Sequence, residues 1–128
     1  MFDSLDYVYV PTADVDASAG RYVAELGAEL LWKVRGMETV VACLRLSETG
    51  PAILLSGHLE GENPILIYRV PNYGAAVAAL RAADVSELRE VELPPGPAAS
   101  FRAPGGQRIA VYERTRPRVE EHFVGRVD

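Results

Sequence analysis

The sequence predicts an α+β fold made of two βαβββ modules, and three observations predict it. A Tyr-rich apolar segment ending in Val10-Pro11 is matched about sixty residues later by a second apolar segment ending in Val70-Pro71. Each is followed by one helical pattern, and each helical pattern by short, Gly- and Pro-punctuated strand patterns. One unit stated twice implies a pseudo-symmetric fold. Two small curved sheets side by side leave a cleft lined by alternate strand residues, a natural place for a small molecule.

The first strand is expected over residues 5–10. Two-residue alternation places Leu5, Tyr7 and Tyr9 on one face and Asp6, Val8 and Val10 on the other. Pro11 and Thr12 break it. A helix then starts at Asp14, whose carboxylate can accept from free backbone N–H groups, and Asp16 suits the positive end of the helix dipole. Val15, Ala19, Tyr22, Val23 and Leu26 recur at helical spacing, and Gly27 supplies the stop. Strands follow over 28–34, 39–46 and 52–56, separated by turns at Arg35-Gly36 and at 47–51.

The stretch 57–64, Gly-His-Leu-Glu-Gly-Glu-Asn-Pro, lacks apolar rhythm and reads as the link between halves. The pattern restarts with a strand over 65–70. Asn72 caps a helix with Tyr73, Ala76, Val77 and Leu80 on one face. Strands are expected over 87–93, 98–102 and 107–113, with turns at 94–97 and 104–106. The charged tail from Thr115 onward, carrying Pro117, reads as loosely held. The chain is thus one domain, 1–128, with an internal repeat over 5–57 and 64–113.

Composition narrows the function classes. At 128 residues the chain is long enough to bury a core without disulfide or metal staples. Thirteen Lys and Arg stand against eighteen Asp and Glu, a formal charge of −5, so no basic stripe suits nucleic acid. Apolar runs such as 51–55 are too short to span a bilayer, and the first residues lack a secretory pattern. A cytoplasmic protein, partnered by neither nucleic acid nor membrane, is expected. The single cysteine, Cys43, lies in the run Val40-Val41-Ala42-Cys43-Leu44 and reads as a small core hydrophobe.

The order strand, helix, three strands, stated twice, resembles the vicinal oxygen chelate superfamily, which includes glyoxalase I, bleomycin-resistance proteins, fosfomycin-resistance enzymes and extradiol dioxygenases. The resemblance is carried by Leu5-Asp6-Tyr7-Val8-Tyr9-Val10-Pro11, by Asp14-Val15-Asp16-Ala17-Ser18 with Tyr22 and Leu26-Gly27, and by the closing segment from Phe101 to Glu113. It implies an incomplete barrel with a central cleft, and a homodimer. Members with a metal hold it by inward His or Glu side chains on the first and fourth strands of each half. Those positions here offer Leu5 or Tyr7, Leu54, Ile65 and Ala110, none of which can ligate a divalent ion. A one-residue shift on the fourth strand adds at most His58. No metal and no other cofactor is therefore expected.

The cleft candidates are Tyr7, Tyr9, Trp32, Arg45, His58, Arg69, Arg108 and Tyr112. Tyrosines offer a ring to an apolar ligand and a hydroxyl to a polar one, or else serve as core aromatics. His58 is a candidate general base beside Glu60 or Glu62, or a solvated linker residue; His122 lies in the charged tail. Arg45, Arg69 and Arg108 sit inside strands, the last two on the parity of Ile65 and Ala110. There a guanidinium binds a carboxylate or phosphate, or lies at the surface paired with Glu92 or Glu113. Trp32 walls the cleft or fills the core. Glu90 and Glu92 read as a solvent face. Three functions stay open on the residues alone: a small-molecule binding protein, an enzyme of lyase or dioxygenase type acting on a small metabolite with or without a metal, and a non-catalytic dimeric interaction protein.

Overall fold

The structure, a computed structural model, describes residues 1–36, 39–57 and 63–119. His58, Glu60, Glu62 and His122 lie outside the described residues. The elements run β1 (Ser4–Pro11), α1 (Val15–Leu26), β2 (Glu29–Gly36), β3 (Thr39–Arg45), β4 (Ala52–Ser56), β5 (Ile65–Arg69), α2 (Tyr73–Ala82), β6 (Ser86–Leu93), β7 (Gly96–Arg102) and β8 (Arg108–Tyr112).

Both helices begin and end for local reasons. Asp14 Oδ1 accepts from Ala17 N at 3.0 Å and Asn72 Oδ1 from Ala75 N at 2.8 Å, each satisfying an N–H that the first turn leaves open. Gly27 closes α1 in the left-handed region at φ 70°. Helix α1 lays Val15 and Ala19 against Ala42, Leu44 and Leu55 of β3 and β4. Helix α2 lays Ala76, Val77 and Leu80 against Ala99, Phe101 and Val111 of β7 and β8. Burying a side chain such as Leu44 or Leu55 completely stabilises the fold by roughly 1.5–3 kcal/mol each.

The strands form one sheet in the order β2-β3-β4-β1-β5-β8-β7-β6. Outward from the β1–β5 seam, each module repeats the order first, fourth, third, second strand. Strands β1 and β4 pair in parallel, as do β5 and β8, and every other neighbouring pair is antiparallel. The two modules are therefore related by a twofold and joined edge to edge within one chain. Their helices cover one face of the sheet. The opposite, concave face carries Tyr9, Trp32, Val34, Val41, Cys43, Leu54, Ile65, Ile67, Leu93, Ala98, Ala110 and Tyr112 in one apolar cluster.

Four expectations need correction. A bulge between Leu5 and Tyr7 breaks the alternation of β1. Leu5 pairs with Tyr68 and leaves the face of Tyr7 and Tyr9, while Asp6 turns in toward Tyr112. Arg35 and Gly36 belong to β2, because Arg35 faces Val40 in the β2–β3 ladder and Gly36 faces Thr39. The turn after β6 is confined to Pro94 and Pro95, since Gly96 and Pro97 already pair with Leu93 and Glu92. The tail is held at least as far as Val119. Thr115 N donates to Pro95 O, and Arg116 donates to Pro94 O and Leu93 O at 2.7 Å and to the Glu92 carboxylate. Val119 is buried in the concave cluster.

Candidate functional site

The concave face divides into a packed part and an open part. On the first module Tyr9, Trp32, Val34, Val41, Cys43 and Leu54 are buried against one another, with Val119 of the tail in the same cluster. Trp32 and Tyr9 therefore fill the core, and so does Cys43. On the second module a cavity of about 210 Å³ remains. Ile65, Ile67, Val91, Leu93, Ala98 and Ala110 form its apolar walls, and Arg89, Glu90 and Ser100 supply its polar groups. Small side chains explain why it is open: Ala98, Ser100 and Ala110 stand inward where bulkier residues would fill the space. Its volume lies below the roughly 300–1,000 Å³ usual for drug-sized ligands, so it suits a small molecule or one end of a larger one.

Beside this cavity lies a polar cluster built from both modules. The Tyr112 hydroxyl donates to Asp6 Oδ2 at 2.5 Å, Ser4 Oγ donates to Asp6 Oδ1 at 2.6 Å, and Arg69 Nε stands 3.6 Å from Asp6 Oδ2. The rings of Tyr7 and Tyr112 lie 5.5 Å apart, tilted. Burial pushes the Tyr7 phenol up to about 12, with the nearby Cys43 thiol acting in the same direction. The Tyr112 phenol is also raised, first by burial and then by its bond to the Asp6 carboxylate, which favours the protonated donor. Both phenols are thus hydrogen-bond donors at neutral pH.

The three arginines have different surroundings. Arg45, at the end of β3, pairs with Glu29 at 2.8 Å and is 41% exposed, which puts it on the rim. Arg69 reaches the polar cluster. Arg108 is 4% exposed, and its Nη2 donates to Glu87 O at 2.6 Å and to Ser100 Oγ at 3.1 Å. The expected alternative partners are engaged elsewhere: Glu92 accepts from Arg116, and Glu113 from Tyr73 N at 2.8 Å. Nor is Glu90 a plain solvent-facing carboxylate. It accepts from the Tyr73 hydroxyl at 2.5 Å and from Arg81 at 3.0 Å, and the Tyr73 bond holds its carboxyl below the usual range.

Of the predicted site residues, Tyr7, Arg69 and Tyr112 meet in one cluster, while Arg108 reaches the cavity through Ser100. Asp6, Arg89 and Ser100 escape the sequence reading. A bulge hides Asp6, whereas Arg89 shares the parity of Val91 and Leu93 and is passed over because a charged residue reads as a surface position. The Ala and Ser positions of β7 and β8 carry the only hint, as small residues alternating along strands.

No protein-family model and no curated protein matches this chain. Solved structures do. Methylmalonyl-CoA epimerase from Mycobacterium tuberculosis superposes with a TM-score of 0.72 at 21% identity, over 91% of each chain. A variant Streptomyces coelicolor methylmalonyl-CoA epimerase in complex with 2-nitronate-propionyl-CoA gives 0.73 at 15% identity, over 91% of this chain and 97% of that one. A hypothetical protein from Bacillus halodurans C-125 gives 0.68 at 17% identity, over 88% and 95%. The chain has the fold of these epimerases, as the resemblance to the vicinal oxygen chelate superfamily implies.

The resemblance to that superfamily implies a divalent metal between the modules, and the described side chains there do not suit one. Strand β1 presents Tyr7 and Tyr9, β4 presents Leu54, β5 presents Ile65 and Ile67, and β8 presents Ala110 and Tyr112. The Asp6 carboxylate is occupied by Tyr112, Ser4 and Arg69, and that of Glu90 by Tyr73 and Arg81. Among the described residues no group of three or more His, Cys, Asp or Glu converges on a point.

Proposed function

We propose that this chain binds a small molecule on the concave face between its two βαβββ modules, without a conventional divalent metal site. The cavity walled by Ile65, Ile67, Val91, Leu93, Ala98 and Ala110 carries this reading. It combines apolar walls with a few convergent polar groups, the usual make-up of a ligand site. A complex of a like-folded Streptomyces coelicolor epimerase with 2-nitronate-propionyl-CoA gives the reading a precedent on this fold.

A second reading, an enzyme acting on a small metabolite, draws support from the Tyr112 phenol bonded to the Asp6 carboxylate, with the Tyr7 ring packed against that of Tyr112. The same proposal holds a single domain, 1–128, with repeats 5–57 and 64–113, in the cytoplasm. Among the described residues no helix is long and apolar enough to cross a membrane. A homodimer belongs to the same proposal, supported by exposed Val23, Leu26, Leu30 and Leu46 near one end of the first module.

The test is a thermal-shift screen of metabolites against the wild-type protein and Ala110→Phe, whose ring would occupy the cavity. Compounds that stabilise the wild type and not the variant support the reading, because a ligand selective for the folded state must raise its stability. A library without such a compound overturns it in favour of an interaction protein. Stoichiometric retention of zinc, nickel, manganese or iron by the purified protein would overturn the metal-free part.

A further inference from the structure

The polar groups of the cavity differ in what they offer a ligand, and the difference follows from their neighbours. Ser100 Oγ accepts a bond from Arg108 Nη2 at 3.1 Å, and that guanidinium is buried behind it. A hydroxyl that accepts a charge-assisted bond turns its own hydrogen away from the donor. Among the described residues no acceptor takes that hydrogen, and Ser100 lines the cavity. Arg89 faces Ser100 directly in the β6–β7 ladder, so the two side chains stand together on the concave face. A guanidinium can only donate, and Arg89 gives one of its five N–H groups to Glu87 Oε1 at 3.4 Å while its side chain stays 58% exposed.

Glu90, the one acidic group of the lining among the described residues, is turned to other work, and the neighbouring Glu87 carboxylate, near Arg89 and Arg108, is held by Arg102 Nε at 2.7 Å. The Tyr73 hydroxyl and Arg81, both on α2, donate to the two Glu90 carboxylate oxygens at 2.5 and 3.0 Å. The remaining walls are apolar. The cavity therefore offers a ligand donors on one side and hydrocarbon on the other.

We infer that the ligand of this cavity is a small organic acid: a carboxylate, or a comparable oxyanion, accepts from the Ser100 hydroxyl and the Arg89 guanidinium, while a short apolar body lies against Ile65, Ile67, Leu93 and Ala110. Arg108 acts as a positioning residue, orienting Ser100 from behind. The inference rests on the proposed binding role of the cavity and adds the charge of what binds there.

The experiment titrates the protein with benzoate and isovalerate, and with their uncharged amides and the amine analogue benzylamine, reading affinity from backbone chemical shifts of β7 and β8. The carboxylates are expected to bind at least about tenfold more tightly than the matching amides, the size of effect a charge-assisted pair gives. Ser100→Ala and Arg89→Gln should each erase most of that preference while leaving the amide affinity within about twofold. Ser100→Ala keeps the Arg108 bond to Glu87 O, so the variant is expected to fold, and its spectrum checks this. Amide or benzylamine binding as tight as the carboxylate, displaced by Ala110→Phe, would overturn the acid assignment and leave the cavity reading standing. Absence of binding by every probe would overturn the acid assignment too, and with an empty metabolite screen it would remove the cavity reading as well.

Discussion

Tyr112 on β8 donates its phenolic hydrogen to Asp6 Oδ2 on β1 at 2.5 Å, reaching past β5, which lies between the two strands in the sheet. The bond joins the last strand of the second module to the first strand of the first. It exists because the β1 bulge brings Asp6 onto the face that alternation assigns to Leu5. Tyr112→Phe keeps the ring packing against Tyr7 and removes only the donor. A carboxylate losing a partly buried, charge-assisted bond costs about 1–3 kcal/mol. Urea unfolding should show that loss in the midpoint without a change in slope, and Asp6→Asn combined with Tyr112→Phe should cost less than the sum of the two single changes.

The pH dependence of stability has a defined sign at Tyr7. Below pH 10 its phenol is protonated in folded and unfolded chains alike, and its contribution is fully present. The folded-state value is raised to about 12, chiefly by burial. Between those limits the unfolded chain releases the proton while the folded chain retains it, so stability falls as pH rises through this window. Denaturant midpoints measured from neutral pH to pH 12 should decline steeply at the alkaline end, and Tyr7→Phe should flatten that limb. An unchanged limb in Tyr7→Phe would place the loss on other groups, with Tyr112 the first to test.

The fold was legible because each module restates strand, helix and three strands, with Asp14 and Asn72 as helix starts and Gly27 as a stop. Chain physics fixes those signals locally. The site was less legible because it depends on one exception to alternation and on polar residues whose surroundings periodicity does not reveal. Asp6 reaches the concave face only through a bulge, which leaves no mark in hydrophobic periodicity, while Arg89 follows the alternation of Val91 and Leu93 but carries a charge that reads as solvent-facing. Tyr9 and Trp32 resemble ligand-binding aromatics in sequence, but packing against Leu54 and Val41 makes them core. The tail reads as loose because it is charged, whereas Arg116 spends its charge on three acceptors of the β6–β7 turn.

That anchoring makes Arg116 the residue on which the tail depends. Arg116→Met preserves much of the aliphatic stem and leaves Pro94 O, Leu93 O and the Glu92 carboxylate without their shared donor. A loss of about 1–3 kcal/mol is expected. Hydrogen exchange should quicken at Thr115 and Arg116, whose amides bond to Pro95 O, while the amides of β3 and β4 keep their protection. Uniform acceleration across both modules would mean that the tail is integral to global stability rather than locally held.

Gly96 gives the sharpest steric test, because it is needed for space and Gly105 is not. A Cβ built on Gly96 would stand 1.9 Å from Glu113 O and 3.1 Å from Thr115 N, both backbone atoms of the segment crossing it. Gly105, at φ 93°, would place its Cβ in open space. Gly105→Ala should therefore cost only the left-handed backbone penalty, about 1–2 kcal/mol. Gly96→Ala must push residues 113–115 away, breaking the bonds from Glu113 N to Pro97 O and from Thr115 N to Pro95 O. Its cost should exceed that of Gly105→Ala by about 1–3 kcal/mol, as overpacking against a rigid neighbour does. Thermal unfolding of the two variants side by side measures the difference. Equal costs would mean that the tail yields without resistance, and that Val119 is not fixed in the concave cluster by its anchors at Gly96 and Pro95.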